Sequence, residues 1–355
     1  MKIGLVGLPG TGKTTLFQML TGNFSGGSSK GDAASGVMFV PDERVRWLAG
    51  LFKPRKTTFA QIELVDIPGL IPGRQAEGGP KFLQEIRKTD ALAQVLRVYE
   101  GPIPHPLESI NPVRDVDILQ AELLCADLDL VEKRLSRLAG QKKSGPDQEA
   151  EHALLKRLEQ QLEEKNSLSN FAVNSAEEAL LKNYDFFTLK PVLLAVNMDE
   201  VQWKNAAYPG KDELKKYAGS RQIPLVDLSV RLEKEIMELP EAEWQEFLKD
   251  AGIDSSGLYR LARAIYSLLG FISFFTVGED EVKAWTIKRG TPARKAAGKI
   301  HTDIEKGFIR AEVVSYDHMR ESGSVAGARE KGRYRLEGKE YVVEDGDIIN
   351  FRFNI

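Results

Sequence analysis

Residues 7–14 read Gly7-Leu8-Pro9-Gly10-Thr11-Gly12-Lys13-Thr14 and satisfy G-x-x-x-x-G-K-[ST]. The chemistry open to this spacing is the cradling of phosphate. Glycines let backbone N–H groups curl around phosphate oxygens, and a following helix N-terminus adds favourable partial charge. Lys13 is the catalytic cation expected to reach the β- and γ-phosphates, and the Thr14 hydroxyl is expected to hold Mg²⁺. Leu8, Pro9, Gly10, Thr11, Gly12 and Thr15 complete the predicted phosphate lining. The motif needs a strand before it and a helix after it. Residues 3–6 are an apolar run that reads as a buried strand, and residues 15–20 read as the opening of a helix.

Three further signals follow in order. Residues 62–65 read as a strand that ends in Asp66-Ile67-Pro68-Gly69. Asp66 is placed to hold the Mg²⁺ water shell, and the Gly69 N–H to touch a γ-phosphate. Downstream, the apolar residues 191–196 run into Asn197-Met198-Asp199-Glu200, where a guanine site would read Asn-Lys-x-Asp. Residues 224–228 then deliver Ser229-Val230-Arg231 to the place of a base-flanking loop. D-x-x-G alone is a common tetrapeptide; the four signals in series predict a Ras-like α/β fold with a mostly parallel sheet.

The base-reading motif bears on nucleotide choice. Guanine is selected by an aspartate that accepts from its ring donors while a lysine stem packs on the ring. Here Glu200 is one methylene too long for the same bidentate contact, and the stem is Met198. Losing such pairing forfeits discrimination of roughly 10⁴-fold. Adenine is therefore expected to compete, so the substrate is ATP or GTP with ATP preferred. The alternative is a small backbone shift that lets Asp199 or Glu200 still serve guanine.

On these residues the chain resembles the Obg-like ATPase (YchF) family. The Asn-x-x-Glu variant is one reason. The second is a C-terminal series: Phe274-Phe275-Thr276-Val277-Gly278, Val282-Lys283-Ala284-Trp285-Thr286-Ile287, Ile300-His301-Thr302-Asp303, Glu305-Lys306-Gly307-Phe308-Ile309-Arg310-Ala311-Glu312, and Asp345-Gly346-Asp347-Ile348-Ile349-Asn350-Phe351-Arg352-Phe353. That series is similar to the family's TGS domain. The resemblance covers essentially the whole chain. It implies ATP hydrolysis with some GTP tolerance, association with the ribosome or ribosomal RNA, and a monomer.

Length and composition agree with this. A chain of 355 residues implies two or three domains, and 42% hydrophobic content suffices for ordinary cores. A net charge of −3 and one cysteine, Cys125, point to a soluble protein of a reducing compartment, with cytoplasm the default. Met1-Lys2 leads straight into the first strand, so no leader is expected. No apolar run approaches the roughly 20 residues that span a bilayer, so no membrane is expected.

Between the second and third nucleotide motifs, Leu124, Leu128, Val131, Leu135 and Leu138 recur at 4-3-4-3 spacing. After a loop at residues 140–147, Leu155, Leu158 and Leu162 form a second stripe. An inserted antiparallel, coiled-coil-like helical arm follows from this pattern. It resembles the family's docking arm; an inert insertion or a dimer seam would produce the same stripe. The C-terminal residues are short β-rich segments with turns between them, which fits a ubiquitin-like β-grasp module. The expected organisation is 1–115 and 186–272 for the NTPase domain, 116–185 for the arm and 273–355 for the TGS domain. Lys283, Lys288, Arg289, Arg294, Lys295 and Lys299 surround Trp285, and Lys283, Trp285, Lys288 and Arg289 are the candidate RNA contacts. A solvated strand edge would show the same charges.

Ras-like enzymes orient the attacking water with a glutamine after the D-x-x-G glycine. That place is Leu70, so turnover is expected to be slow. The family carries a histidine six residues before an Asn-Pro in a mobile loop. His105 stands at that spacing from Asn111-Pro112, and a catalytic role for it is implied by the resemblance. Ile71-Pro72-Gly73 and the stretch to Gly79 read as a switch, with a helix over residues 81–87 behind it. Two departures stand out. Gly10-Thr11 replaces the family's usual Asn-Val, which puts potassium stimulation in doubt, and Lys30 falls where a Mg²⁺-binding threonine is usual, with Ser28 and Ser29 nearby. Two rivals remain: an Obg-type GTPase, and a ribosome- or RNA-binding adaptor whose nucleotide mainly stabilises the fold.

Overall fold

The computed structural model describes residues 2–24, 33–70, 75–140, 145–164, 167–240, 243 and 256–354. Ser28, Ser29, Lys30 and Ile71-Pro72-Gly73 lie outside them. The described chain divides into two compact units, Met1–Gly36 with Glu63–Leu258, and Val37–Ile62 with Tyr259–Ile355.

The first sheet is built from β1 (Lys2–Val6), β2 (Ala34–Val40), β4 (Ala60–Asp66), β5 (Ala91–Arg97), β6 (Val192–Asn197) and β7 (Leu225–Leu228), in the order β2-β4-β1-β5-β6-β7. The pairings β1–β4, β1–β5, β5–β6 and β6–β7 are all parallel. Parallel strands joined by helical crossovers bury both faces, which is why these strands read as unbroken apolar runs. Every residue of β5 is buried. The mixed α/β architecture expected from the sequence is present.

Helix α1 (Lys13–Thr21) follows β1. Helix α3 (Gln75–Arg87) is longer than the expected 81–87. Gly78, Gly79 and Pro80 read as breakers, yet the helix runs through them with Pro80 inside it. Phe82 and Ile86 anchor it in a cluster with Val65, Ile67, Leu70 and Leu92, and that burial outweighs the weak local propensity.

The arm is α4 (Pro112–Ala139) and α5 (Pro146–Glu163). Asn111 caps α4 by accepting the Arg114 N–H at 3.0 Å, and Pro112 fills the first turn, where no N–H is needed. Val131, Leu135 and Leu138 meet Leu154, Leu155, Leu158 and Leu162 in one core, as the leucine spacing predicts. Arg134 grips Glu151 with two bonds of 2.9 and 2.8 Å. Further along α4, buried Asp127 accepts the Phe187 and Thr188 N–H groups, each at 2.8 Å. Burial raises its pKa, and the two backbone donors oppose that shift.

The second sheet runs β11-β10-β12-β8-β9-β3, with β8 (Phe271–Thr276), β9 (Glu281–Lys288), β10 (Phe308–Ser315), β11 (Arg335–Glu337), β12 (Asp347–Phe353) and β3 (Lys56–Thr58). β8–β9, β10–β12 and β10–β11 are antiparallel; β8–β12 and β3–β9 are parallel. Without β3 this is the strand order of a β-grasp fold. The helix Ala293–Ile300 packs Ala293, Ala296 and Ala297 onto Ile272, Phe274, Ile287 and Phe351.

Among its described residues the C-terminal region also carries four helices, Ala293–Ile300, Thr302–Lys306, Tyr316–Ser322 and Val325–Glu330. β9 is also not a bare edge, because β3 covers it. Helix α2 (Glu43–Phe52) belongs to this unit too. Arg44 binds Asp42 at 2.7 Å and Asp345 at 2.8 Å and lies 5.1 Å from the centre of the Phe275 ring. Among the described residues, no helix is long and apolar enough to cross a membrane.

Candidate nucleotide site

Each nucleotide motif lies at the carboxyl end of a strand in the parallel sheet, where α/β folds bind their ligands. The loop after β1 closes at Gly12, whose φ of 88° is left-handed and whose carbonyl accepts the Leu16 N–H at 2.9 Å. A Cβ on Gly12 would stand 2.6 Å from Asn197 Nδ2, so only glycine fits. Lys13 Nζ donates to Asp66 Oδ1 at 2.7 Å, and the Thr14 hydroxyl donates to Asp66 Oδ2, also at 2.7 Å. Lys13 and Asp66 are both buried, so the pair is sheltered from screening. Gly69 approaches the loop closely; a Cβ there would be 3.2 Å from Gly7 O and from Pro9 N.

At the other end of the site, Asn197 donates from Nδ2 to Thr11 O at 2.9 Å and accepts the Val230 N–H on Oδ1 at 3.0 Å. One amide thereby ties the phosphate loop to the base-flanking loop. Ser229 caps the helix Val230–Glu238 through the Leu232 N–H. Asp199 spends its carboxylate on the Gln202 N–H at 2.8 Å, as the cap of the helix Glu200–Lys204. Glu200 points instead to Lys204 at 2.9 Å, whose ammonium holds the carboxyl below its ordinary range. Met198 is 3% exposed and packs with Val196, Tyr208 and Leu214. Its side chain is held in that core beside the motif.

Leu70 is buried in an apolar cluster and offers no hydrogen bond to a water. His105 is buried as well. Its Nε2 lies 3.0 Å from Asp115 Oδ2, and its Nδ1 accepts the Leu107 N–H at 3.2 Å. An accepting Nδ1 fixes the proton on Nε2, where it is donated to Asp115. Arg114 in turn binds Asp115 Oδ1 at 2.9 Å. Both ring nitrogens are therefore occupied.

The candidate RNA contacts lie on β9 and just after it. Trp285 packs along Phe274 and donates to Thr276 Oγ1 at 2.9 Å, while the Lys283 ammonium lies 3.8 Å from the centre of its ring. Arg294 and Lys295 are on the helix Ala293–Ile300, where both bind Glu305. Lys288 and Arg289 are exposed at the end of β9.

Sequence reasoning passed over Arg97. It ends β5, opposite Asn197 in register, and is 2% exposed. The signal was available: a permanent charge inside the otherwise uncharged run 91–99.

A loop closed by a left-handed glycine, with Lys13, Thr14 and Asp66 converging beneath a parallel sheet, defines a P-loop nucleoside triphosphatase. The chain is 39% identical over 366 residues to the ribosome-binding ATPase YchF of Bacillus subtilis, covering 99% of both chains. It belongs to the YchF family of Obg-like ATPases. The ribosome-binding ATPase YchF of Pasteurella multocida is 41% identical, with 100% of this chain and 99% of that protein covered. Obg-like ATPase 1 of rice is 36% identical, with 100% and 92% covered. The solved YchF GTPase of Schizosaccharomyces pombe superposes with a TM-score of 0.87 at 32% identity, covering 99% of this chain and 97% of that one. A family model described as 50S ribosome-binding GTPase matches residues 2–124. The model for the C-terminal region of YchF GTPases, described as a protein of unknown function, matches residues 271–354.

Proposed function

We propose that this chain binds Mg-ATP in preference to Mg-GTP, hydrolyses it slowly, and uses the γ-phosphate to time its association with the ribosome or ribosomal RNA. The observation that carries the adenine preference is the disposition of Asp199 and Glu200. One has an oxygen committed to a helix cap and the other is drawn along its own helix toward Lys204, which disfavours a bidentate contact to guanine. The relatives named ribosome-binding ATPases, and the one named Obg-like ATPase, support both the nucleotide and the partner.

The donor set suits a hard divalent cation. The Thr14 hydroxyl and Asp66 carboxylate offer oxygens 2.7 Å apart beside the phosphate loop, and Mg²⁺ takes few protein ligands when phosphate supplies others. Thr14 and Asp66 would hold it, and when bound it would neutralise phosphate charge. Lys13 exchanges Asp66 for the phosphates, and the backbone N–H groups of residues 8–15 orient the chain of phosphates. His105 contributes to water positioning only by releasing Asp115, which fits slow turnover. Residues 1–115 with 186–272, 116–185 and 273–355 serve as NTPase domain, arm and TGS domain, with Lys283, Lys288 and Arg289 offered to RNA, in a cytoplasmic monomer that does not associate with membranes.

Competition of ATP against GTP for the purified protein tests the base assignment. ATP is expected to bind at least several-fold more tightly, and a tenfold advantage for GTP refutes the reading. The locked His105 and apolar Leu70 favour one second reading, an adaptor with almost no turnover. Phosphate release with and without ribosomes, against a Lys13→Ala control, separates the two.

A further inference from the structure

We propose that Arg97 is a catalytic residue of this site, a guanidinium brought from the end of β5 to the triphosphate beside Gly10; the proposal rests on the nucleotide reading above. Arg97 Nε donates to Tyr99 O at 2.9 Å and Nη1 to Ile103 O at 2.8 Å. Its Nη2 is buried with no hydrogen-bond partner. Among the described residues, no carboxylate is paired with this guanidinium. A permanent cation sealed from water, with two carbonyls as acceptors and one donor orphaned, is costly to keep in a fold. An anion close by removes that cost.

The phosphate loop is where that anion arrives. A Cβ on Gly10 would lie 3.5 Å from Arg97 Nη1 and 3.7 Å from Ile103 Cγ2, so the guanidinium faces the loop at Gly10. On its other side, a Cβ on Gly101 would lie 3.2 Å from Nη2. Glycine at both positions adds no side chain there, and the guanidinium lies over the Tyr99 ring, 5.0 Å from its centre. The neighbouring strand sets the same level: Asn197, opposite Arg97, already grips Thr11 of this loop. A small shift of residues 99–103 presents Nη1 and Nη2 to the β- and γ-phosphate oxygens. In hydrolysis the water oxygen forms the new bond to the γ-phosphorus, the bond to the bridging oxygen breaks with its electron pair leaving on ADP, and the water's proton passes to the released phosphate. Arg97 stabilises the charge gathering on those oxygens and keeps its proton throughout.

The test uses the full chain with Arg97→Gln, reading single-turnover hydrolysis, affinity for a fluorescent ATP analogue and melting temperature. Turnover is expected to fall about 10²-fold, as on losing one preorganised transition-state donor. Affinity should change less than fivefold, and a few millimolar guanidinium ion should restore part of the rate. Hydrolysis within twofold of native overturns the proposal. So does a joint loss of rate, affinity and melting temperature that guanidinium does not rescue. If the Gln variant does not fold, Arg97→Lys decides: a fall of roughly tenfold at unchanged melting temperature supports the proposal, and a native rate overturns it. A native chain that binds no ATP sinks the nucleotide reading itself, whereas native binding with an inert Arg97→Gln substitution sinks only this proposal.

Discussion

The two ends of the nucleotide site follow different rules. At the phosphate end the charged and hydroxyl groups that would meet the ligand converge: Lys13 and Thr14 share Asp66, and Gly12 clears the way for Asn197. At the base end the groups that would read a purine are turned aside, with Asp199 on Gln202, Glu200 on Lys204 and Met198 in the core. Phosphate is the same in every nucleotide, so its cradle can be rigid and pre-formed. On the function proposed above, base choice follows from withdrawing the groups that pair with guanine. A site of this kind discriminates weakly, because unpaired polar groups and not mere openness are what reject a ligand.

The contrast can be broken at three points. Gly12→Ala forces a side chain into a left-handed position 2.6 Å from Asn197 Nδ2. Hydrolysis is expected to fall about 10²- to 10³-fold, measured by phosphate release at saturating ATP; a smaller loss would show that the cradle is less rigid than described. At the other end, Glu200→Asp restores the shorter carboxylate and should move the ATP-to-GTP affinity ratio roughly tenfold toward GTP. No change in a competition assay would mean that the helix Glu200–Lys204 cannot present any carboxylate to a base. The smallest effect is expected at Ser229, which caps the helix between the two ends. Ser229→Ala should cost about 1 kcal/mol in a denaturant melt while leaving the nucleotide ratio unchanged.

The phosphate end was legible in the sequence because its backbone demands particular residues at fixed places. Gly12 and Lys13 announce a loop that few other chains could close, and the leucines of the arm announce its seam in the same local way. What escaped was non-local. Nothing near Met198 says that Tyr208 and Leu214 will enclose it. The His105–Asp115 bond closes across ten positions, and its loop-like flanks gave no hint that the ring would be buried. Arg97 is hidden by its surroundings: one charge at the end of an apolar strand looks like the start of the exposed loop that follows. The helix through Pro80 shows the same limit from the other side, since breakers are local and the packing that overrides them is not.

Strand β3 has a consequence for how the molecule is made. Thr58 bonds Glu281 at 2.5 Å across 223 positions, and Arg55 and Lys56 donate to the backbone of Glu279 and Asp280. During translation this strand leaves the tunnel early and waits, its hydrogen-bonding groups open, until most of the polypeptide has followed. A fragment begun at Phe271 would inherit the mirror-image problem, a β9 stripped of its cover and ready to pair with any exposed edge it meets. The carboxy-terminal module is therefore finished by the amino-terminal third of the chain, and its natural unit of expression is the whole polypeptide.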